Sequence, residues 1–325
     1  MAKALGLCSG GLDSILACLV LRRAGVEVAA VSFASPFFGA DKALAAAEAH
    51  AIPLTVLEVG PEHLESVVKR PRYGYGSNMN PCIDCHAYMF KKAAGLAQEQ
   101  GCDFLFSGEV LGQRPMSQNR QALGTVAKHS GVGALILRPL SAGLLPPTAM
   151  EEAGLVDRAR LLSLSGRSRK PQMALAAEMG VKDYPAPAGG CLLTEPGFSR
   201  RLKDLLAHDP AAGVAAVELL KWGRHLRLSP EAKLALGRNQ AENRELERLA
   251  PAGALQLHAL DAPGPLGVYT GPATGADLEL AASLVAGYGQ SPADAPARVA
   301  VEGGEASQVL TVPPHSRRLA QGYLL

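Results

Sequence analysis

Apolar residues in the first half of the chain follow two alternating rhythms. Short apolar runs at 4–8, 26–33, 53–59, 103–107 and 134–138 read as buried strands. Between them, residues 12–24, 40–51, 61–69, 87–100 and 118–129 read as helices. In the first helix Ile15, Leu16, Leu19 and Val20 share one stripe, and Gly25 stops it. Strands alternating with helices predict an α/β fold built on a doubly wound parallel sheet.

The rhythm changes after residue 139. Leu144-Leu145-Pro146-Pro147 is a turn or linker signal. Helical patterns follow at 148–153, 170–179 and 199–207, and the Pro/Gly loop 185–190 delivers Cys191. From residue 208 the chain reads as helices at 211–222, 230–236 and 241–249. Strand-like stretches at 256–269 and 298–312 come next, with Pro/Gly/Ala-rich linkers between. The expected organisation is a nucleotide-binding domain over 1–145, a helical segment over 146–207 carrying the third cysteine loop, and a C-terminal α+β domain over 208–325. There is no internal repeat.

Composition narrows the class without naming a partner. The chain has 325 residues, 48% of them hydrophobic and 19% charged, which is globular composition. A net charge of +2 neither demands nor excludes a nucleic acid, so any basic surface must be local. No apolar run is long enough to span a bilayer, and no signal-peptide pattern opens the sequence, so the expected setting is cytoplasmic and away from membranes. Six cysteines are then core residues, metal ligands or reactive thiols rather than a disulfide framework. Cys8, Cys18 and Cys102 sit beside or within apolar runs and read as core.

Ser9-Gly10-Gly11-Leu12-Asp13-Ser14 lies between the first strand and the first helix. Glycines let the backbone approach a phosphate, the loop N–H groups converge, and the helix N-terminus adds positive partial charge. The bland alternative is a tight strand-to-helix turn. The Walker A and GxGxxG patterns are both absent. All six positions resemble the PP-loop of the N-type ATP pyrophosphatases, which split ATP between the α and β phosphates and adenylate a substrate. The resemblance implies an adenine nucleotide alpha hydrolase-like sheet. It implies that Ser9, Gly10, Gly11, Asp13 and Ser14 hold the pyrophosphate of ATP, that Mg²⁺ sits nearby oriented by Asp13, and that Phe33 borders the adenine. Ser107 and Gly108 end a later strand on the same carboxyl edge, where ligands bind in such sheets.

Cys82 and Cys85 form a CxxC at a helix start, in Asn80-Pro81-Cys82-Ile83-Asp84-Cys85-His86, after a polar Gly-rich loop from Tyr73 to Asn78. Such thiols are poised to ligate metal or react. With Gly190-Cys191-Leu192-Leu193 and Phe198-Ser199-Arg200-Arg201-Leu202, this motif resembles the two cysteine motifs of the tRNA-specific 2-thiouridylases over roughly residues 1–206. The resemblance implies a catalytic Cys85 and a persulfide-bearing Cys191. Cys82 is an additional cysteine that departs from that pattern. Three cysteines spaced this way resemble the tRNA thiolases that hold a [4Fe–4S] cluster by three thiolates, leaving one iron open for sulfide. Cysteine identity leaves three cases open: a cluster on Cys82, Cys85 and Cys191; a persulfide route through Cys85 and Cys191; or structural zinc on these three with His86. Asp84 is read as a helix-start residue.

Basic pieces occur at 114–120, 167–172, 198–203 and 221–227. Each alone reads as a solvated face; together they suit an RNA backbone. Arg167, Arg169, Lys170, Arg200 and Arg201 are the expected RNA-contacting residues, the first three by analogy with the tRNA-contacting segment of tRNA sulfurtransferases. Residues 237–243 and the helix after them resemble an RNA-associated domain attached to some thiolase-like proteins. The combined expectation is an ATP-dependent tRNA sulfurtransferase that needs a sulfur donor: a cysteine desulfurase, a carrier protein or free sulfide. Two alternatives stand beside it. One is a PP-loop synthetase acting on a small molecule. The other is a zinc-stapled nucleotide- or RNA-binding protein without catalysis.

Overall fold

Lys3–Leu7 (β1) is buried along its middle on both faces, as a central parallel strand covered by helices must be. The computed structural model describes residues 1–114, 116–186, 190–303 and 307–325. Its contacts divide the chain into two units, Met1–Thr194 and Glu195–Leu325. The segment 146–207 is therefore shared between them.

In the first unit β1 is followed by Leu12–Arg23 (α1), Glu27–Ala34 (β2), Asp41–Ala49 (α2), Leu54–Glu58 (β3) and Gly60–His63 (α3). A wider π turn, Leu64–Val68, continues α3. Next come Cys82–Glu99 (α4), Phe104–Ser107 (β4), Arg120–Ser130 (α5), Ile136–Leu137 (β5), Ala149–Glu152 (α6) and Lys170–Glu178 (α7). The strand order is β3-β2-β1-β4-β5 and every pairing is parallel. The α/β reading of this half holds. Alternate residues of β1 feed two cores. Ala4 packs with Leu12, Ile15 and Leu16 of α1 on one face. Leu5 packs with Ala87, Phe90 and Ala93 of α4 on the other. Strand order reverses at β1, and Leu7 of β1 lies opposite Ser107 of β4. The loops after β1 and β4 therefore emerge side by side at the carboxyl edge, the crevice where this architecture binds ligands.

The second unit contains Pro196–His208 (α8), Val214–Leu219 (α9), Arg224–Arg227 (β6), Lys233–Leu236 (β7), Gln240–Leu249 (α10), Leu255–Ala259 (β8), Gly267–Thr270 (β9), Ala276–Tyr288 (α11), Ala297–Glu302 (β10), Gln308–Val312 (β11) and Arg317–Ala320 (α12). Its sheet is antiparallel, in the order β11-β10-β8-β9-β7-β6. Residues 230–236, expected as a helix, are instead a turn and β7. Pro230 lacks an N–H, the Leu228 and Ser229 amides reach back to the Ala232 carbonyl, and the few residues left pair with β6 and β9. The helix expected over 211–222 contracts to α9 behind Gly213. The stretch around α11 was expected as linker. That helix is buried nearly all round, at Leu278, Ala281, Ala282, Leu284, Val285 and Ala286, so it shows no amphipathic stripe. Gly189 and its neighbours 187 and 188 in the 185–190 loop, Pro115 in the 114–120 basic piece, and 304–306 in the 298–312 stretch lie outside the described residues.

Candidate functional site

The Gly-rich turn after β1 is built by close backbone approach. Gly10 has φ +72°, and a Cβ there would collide with the Lys42 carbonyl at the start of α2. At Gly108, after β4, a Cβ would come within 2.5 Å of the Asp13 carbonyl. The loop is thus wedged between two backbones, which leaves room for glycine alone. Ser9 is exposed, while the buried Ser14 hydroxyl donates to the Gly11 carbonyl at 2.8 Å. The expected phosphate residues Ser9, Gly10, Gly11, Asp13 and Ser14 are brought to one turn facing Ser107 and Gly108. Phe33 packs in the core with Val31, Ala87 and Phe90.

Asp13 lies under a polar roof. Its Oδ2 accepts a 2.9 Å hydrogen bond from Gln113 Nε2, and its Oδ1 is buried without a partner. Burial pushes the carboxyl above the usual range, against the pull of Gln113, Arg169, Arg114 and Gln172. Beside it Glu109, buried, accepts from Arg138 Nε at 2.9 Å and Ser107 Oγ at 3.0 Å and meets His86 Nδ1 at 2.9 Å. Burial opposes its ionisation, but Arg138 and His86 outweigh that and hold Glu109 down at about 2.

The three candidate cysteines lie near enough that Cys82 and Cys191 act on Cys85, and Cys82 on Cys191, through charge. Cys82 and Cys85 open α4. Cys191 sits in a turn tied to the first unit by Leu192 N–H to the Phe37 carbonyl (2.8 Å) and by Asn78 Nδ2 to the Thr194 carbonyl (2.9 Å). Burial pushes Cys85 well above the ordinary thiol range, with Cys191, Cys82 and Asp84 adding to the rise. Burial likewise takes Cys191 to about 11, although the Leu193 and Thr194 amides and Arg114 pull the other way. Each sulfur has an N–H donor nearby: Asn80 Nδ2 at 3.3 Å from Cys82, His63 Nε2 at 3.3 Å from Cys85, and the Leu193 and Thr194 amides at Cys191. His63 is fully buried between Phe37, Phe38 and Tyr88, and burial lowers it to about 4. It is therefore neutral at pH 7. With Nδ1 unpartnered, the cheaper tautomer carries its proton on Nε2 and donates to Cys85, because an unfilled acceptor costs less than an unfilled donor.

Asp84 holds structure. Its carboxylate accepts from the Arg72 and Tyr73 amides, each at 3.0 Å, and lies 3.4 Å from His129 Nε2. His86, named for a zinc set, turns Nδ1 to Glu109 instead. Among the described residues no group of three or more His, Cys, Asp or Glu side chains is arranged to hold one metal ion. Sequence reasoning missed His63, Asn80, Glu109, Gln113 and Gln172. Only their place just after a buried strand hinted at Glu109 and Gln113.

The basic residues separate. Arg167 and Lys170 are exposed, and Arg200 is exposed in the second unit. Arg169 turns inward, with its Nε buried and unpartnered. Arg201 also turns inward: its Nε is buried and unpartnered, Nη1 reaches the Gly223 carbonyl at 3.5 Å, and its guanidinium lies 6.0 Å from the Phe198 ring centre. No described helix is long and apolar enough to cross a membrane.

Residues 1–143 match the family model of the thiamine biosynthesis protein ThiI. That match lies within the first unit and covers less than half of the chain. Residues 223–324 match the NFACT protein RNA binding domain. No curated protein matches the chain. Among solved structures, the chain is similar to a predicted tRNA methyltransferase subunit from Methanocaldococcus jannaschii (16% identity, 55% of this chain, 76% of that one, TM-score 0.35). It is also similar to the U34-tRNA thiolase NcsA of Methanococcus maripaludis, solved with its [4Fe–4S] cluster (16%, 68% and 71%, TM-score 0.32). A third similarity is to the C-terminal part of a fibronectin/fibrinogen-binding protein from Streptococcus suis (13%, 75% and 99%, TM-score 0.28).

Proposed function

We propose that this chain is an ATP-dependent sulfurtransferase that thiolates a base of tRNA, with uridine as the first candidate. One observation carries the reading: a Gly-rich PP-loop at the carboxyl edge of the parallel sheet and the cysteines Cys82, Cys85 and Cys191 belong to a single unit. The ThiI-type domain and the RNA-binding family match of residues 223–324 support tRNA as the substrate.

The chemistry needs two displacements. The base carbonyl oxygen attacks the α-phosphorus of ATP, the α–β bridging bond breaks, and pyrophosphate leaves as N3 gives up its proton. A hydrosulfide-level nucleophile then adds at the activated carbon, the C–O bond breaks, AMP departs, and the sulfur's proton returns to N3. The loop amides at Gly10 and Gly11 and the first turn of α1 stabilise the departing pyrophosphate, and Asp13 orients its Mg²⁺. Cys82, Cys85 and Cys191 would hold a three-thiolate cluster. They offer three thiols with an N–H donor at each sulfur, as is common around metal-bound thiolates. When bound, a [4Fe–4S] group would supply sulfide at its one open iron. His63 keeps Cys85 oriented, and Asn80 does so for Cys82.

The test is anaerobic purification with iron and acid-labile sulfide analysis, then incubation with tRNA, MgATP and sulfide and mass spectrometry of the nucleosides. Four irons per chain and an ATP-dependent thionucleoside are expected. Iron-free protein that still thiolates would move the sulfur to a persulfide on Cys191 or Cys85. Protein that turns over ATP with small molecules but never with tRNA would overturn the reading.

A further inference from the structure

Arg169 was expected on an RNA-facing tract, yet the structure turns it toward the PP-loop. The segment that carries it is fixed there. Leu111 pairs with Ser165, and the Gly166 amide donates to the Leu111 carbonyl at 2.8 Å, so residues 165–169 run alongside the loop after β4. A Cβ at Gly112 would lie 3.4 Å from the Gly166 nitrogen, a close backbone approach. Gln172, on the first turn of α7, is 1% exposed and donates to Gln113 Oε1 at 3.4 Å; Gln113 in turn donates to Asp13. A chain of side chains thus runs from α7 to the nucleotide loop.

That chain ends in unsatisfied atoms of both signs. Asp13 Oδ1 and Gln172 Oε1 are buried acceptors without partners, and Arg169 Nε is a buried donor without one. Buried polar atoms are ordinarily paired, and each orphan is costly. Arg169 and Asp13 make no direct ion pair within 4.0 Å, although the charge of Arg169 is felt at Asp13, as is that of Arg114. A buried guanidinium whose charge reaches an anion-binding turn, on the same segment as an open amide oxygen and with an open carboxylate oxygen on the turn, suits a phosphate and its metal counter-ion together. A solvated RNA backbone would call for an exposed head, as Arg167 and Lys170 have.

We infer that Arg169, on the segment that runs alongside the loop after β4, is a phosphate-binding residue of the PP-loop site, and that Asp13 Oδ1 and Gln172 Oε1 face the Mg²⁺ of the bound nucleotide. This rests on the ATP reading above. The second arginine of the RSRK run therefore serves the nucleotide, and its neighbours at 167 and 170 serve the RNA. The motif divides its labour between neighbouring residues at the start of α7.

The experiment uses the full-length protein and two probes, MgATP and inorganic pyrophosphate with Mg²⁺, measured by titration calorimetry beside tRNA binding by filter retention. Arg169→Ala is expected to weaken pyrophosphate and MgATP binding about tenfold or more, the loss of one charge-assisted hydrogen bond, while tRNA affinity holds. Arg169→Lys is expected to recover only part of it, since a point charge replaces a fork. Arg167→Ala is expected to do the reverse, weakening tRNA and sparing pyrophosphate. Thermal unfolding of Arg169→Ala at the wild-type temperature separates a lost ligand from a lost fold; if it unfolds early, Arg169→Gln replaces it in the same titrations. Wild-type protein that binds neither probe sinks the ATP reading itself. Wild-type binding that Arg169→Ala and Arg169→Gln leave intact, with tRNA affinity lost, sinks only the assignment of Arg169.

Discussion

In the second unit, Asp204 takes Arg227 through both oxygens, at 3.0 and 2.7 Å, and Lys233 at 3.4 Å, while Glu242 takes Arg238 at 2.5–2.9 Å. The first unit saturates Glu109 in the same way, with Arg138, His86 and Ser107. One loop away it leaves Asp13 Oδ1, Gln172 Oε1, Arg169 Nε and His63 Nδ1 without partners. The second unit leaves Arg201 Nε, His225 Nδ1 and Ser291 Oγ open too, away from any parallel-sheet edge. The difference separates two uses of buried polarity. Where charges close on one another they fix a sheet. Where they stop short along the carboxyl edge of a parallel sheet, they mark a place built for something else.

The largest expected effect breaks the open side of that comparison. Cys85→Ala or Cys191→Ala is expected to lower ATP-dependent thiolation about a thousandfold or more, as loss of a group that acts as part of one unit does. MgATP binding should survive in both, because the loop is built by Gly10 and Gly108. Mass spectrometry of tRNA nucleosides and calorimetry read the two halves. Thiolation that persists in both variants would remove the cysteines from the chemistry.

The closed networks come next. Arg138→Leu strands Glu109 without its main counter-charge and is expected to destabilise the first unit by about 3–5 kcal/mol in urea unfolding. Arg227→Leu leaves Asp204 with Lys233 still in place and should cost about 2 kcal/mol. Equal losses would mean that the two networks are not different in kind. Acid sharpens the contrast. Glu109 is held near 2 against an ordinary 4.5, so its contribution is present above pH 4.5 and disappears as pH falls toward 2. His225 is buried and neutral, lowered to about 3, so its neighbourhood loses stability earlier, as pH falls from 6.5 toward 3. His225→Leu should flatten the stability–pH curve in that window and leave the loss below 4.5 unchanged. The smallest effect belongs to a half-exposed pair: Arg238→Ala should cost under about 1 kcal/mol.

Much of the first unit was legible in the chain. Strand runs bounded by Gly, and a helix stripe at Ile15, Leu16, Leu19 and Val20, mark out the parallel sheet, because short continuous apolar runs alternate with longer amphipathic ones. The PP-loop was legible for a related reason, since backbone crowding at Gly10 permits one residue type. The second unit was harder to read. Its short strands alternate weakly, and Lys233–Leu236 carries three buried residues in a row that suit helix or strand equally. His63, Gln113 and Gln172 could not be read at all. Their role depends on which side chains lie across from them, and in sequence His63 and Cys85 are 22 residues apart. The inward turn of Arg169 was not legible either, because a charge run says nothing about which of its members faces inward.

Asp84 carries one more consequence. It sits between the two cysteines of the CxxC, yet its oxygens hold the amides of Arg72 and Tyr73, on the loop that leads to them. Loop and thiols are therefore coupled through a single carboxylate, and those two amide protons become a gauge. Their exchange with deuterium should slow when the cysteine site is filled and quicken when it is stripped, so the filling of the site can be read from the backbone whatever occupies it.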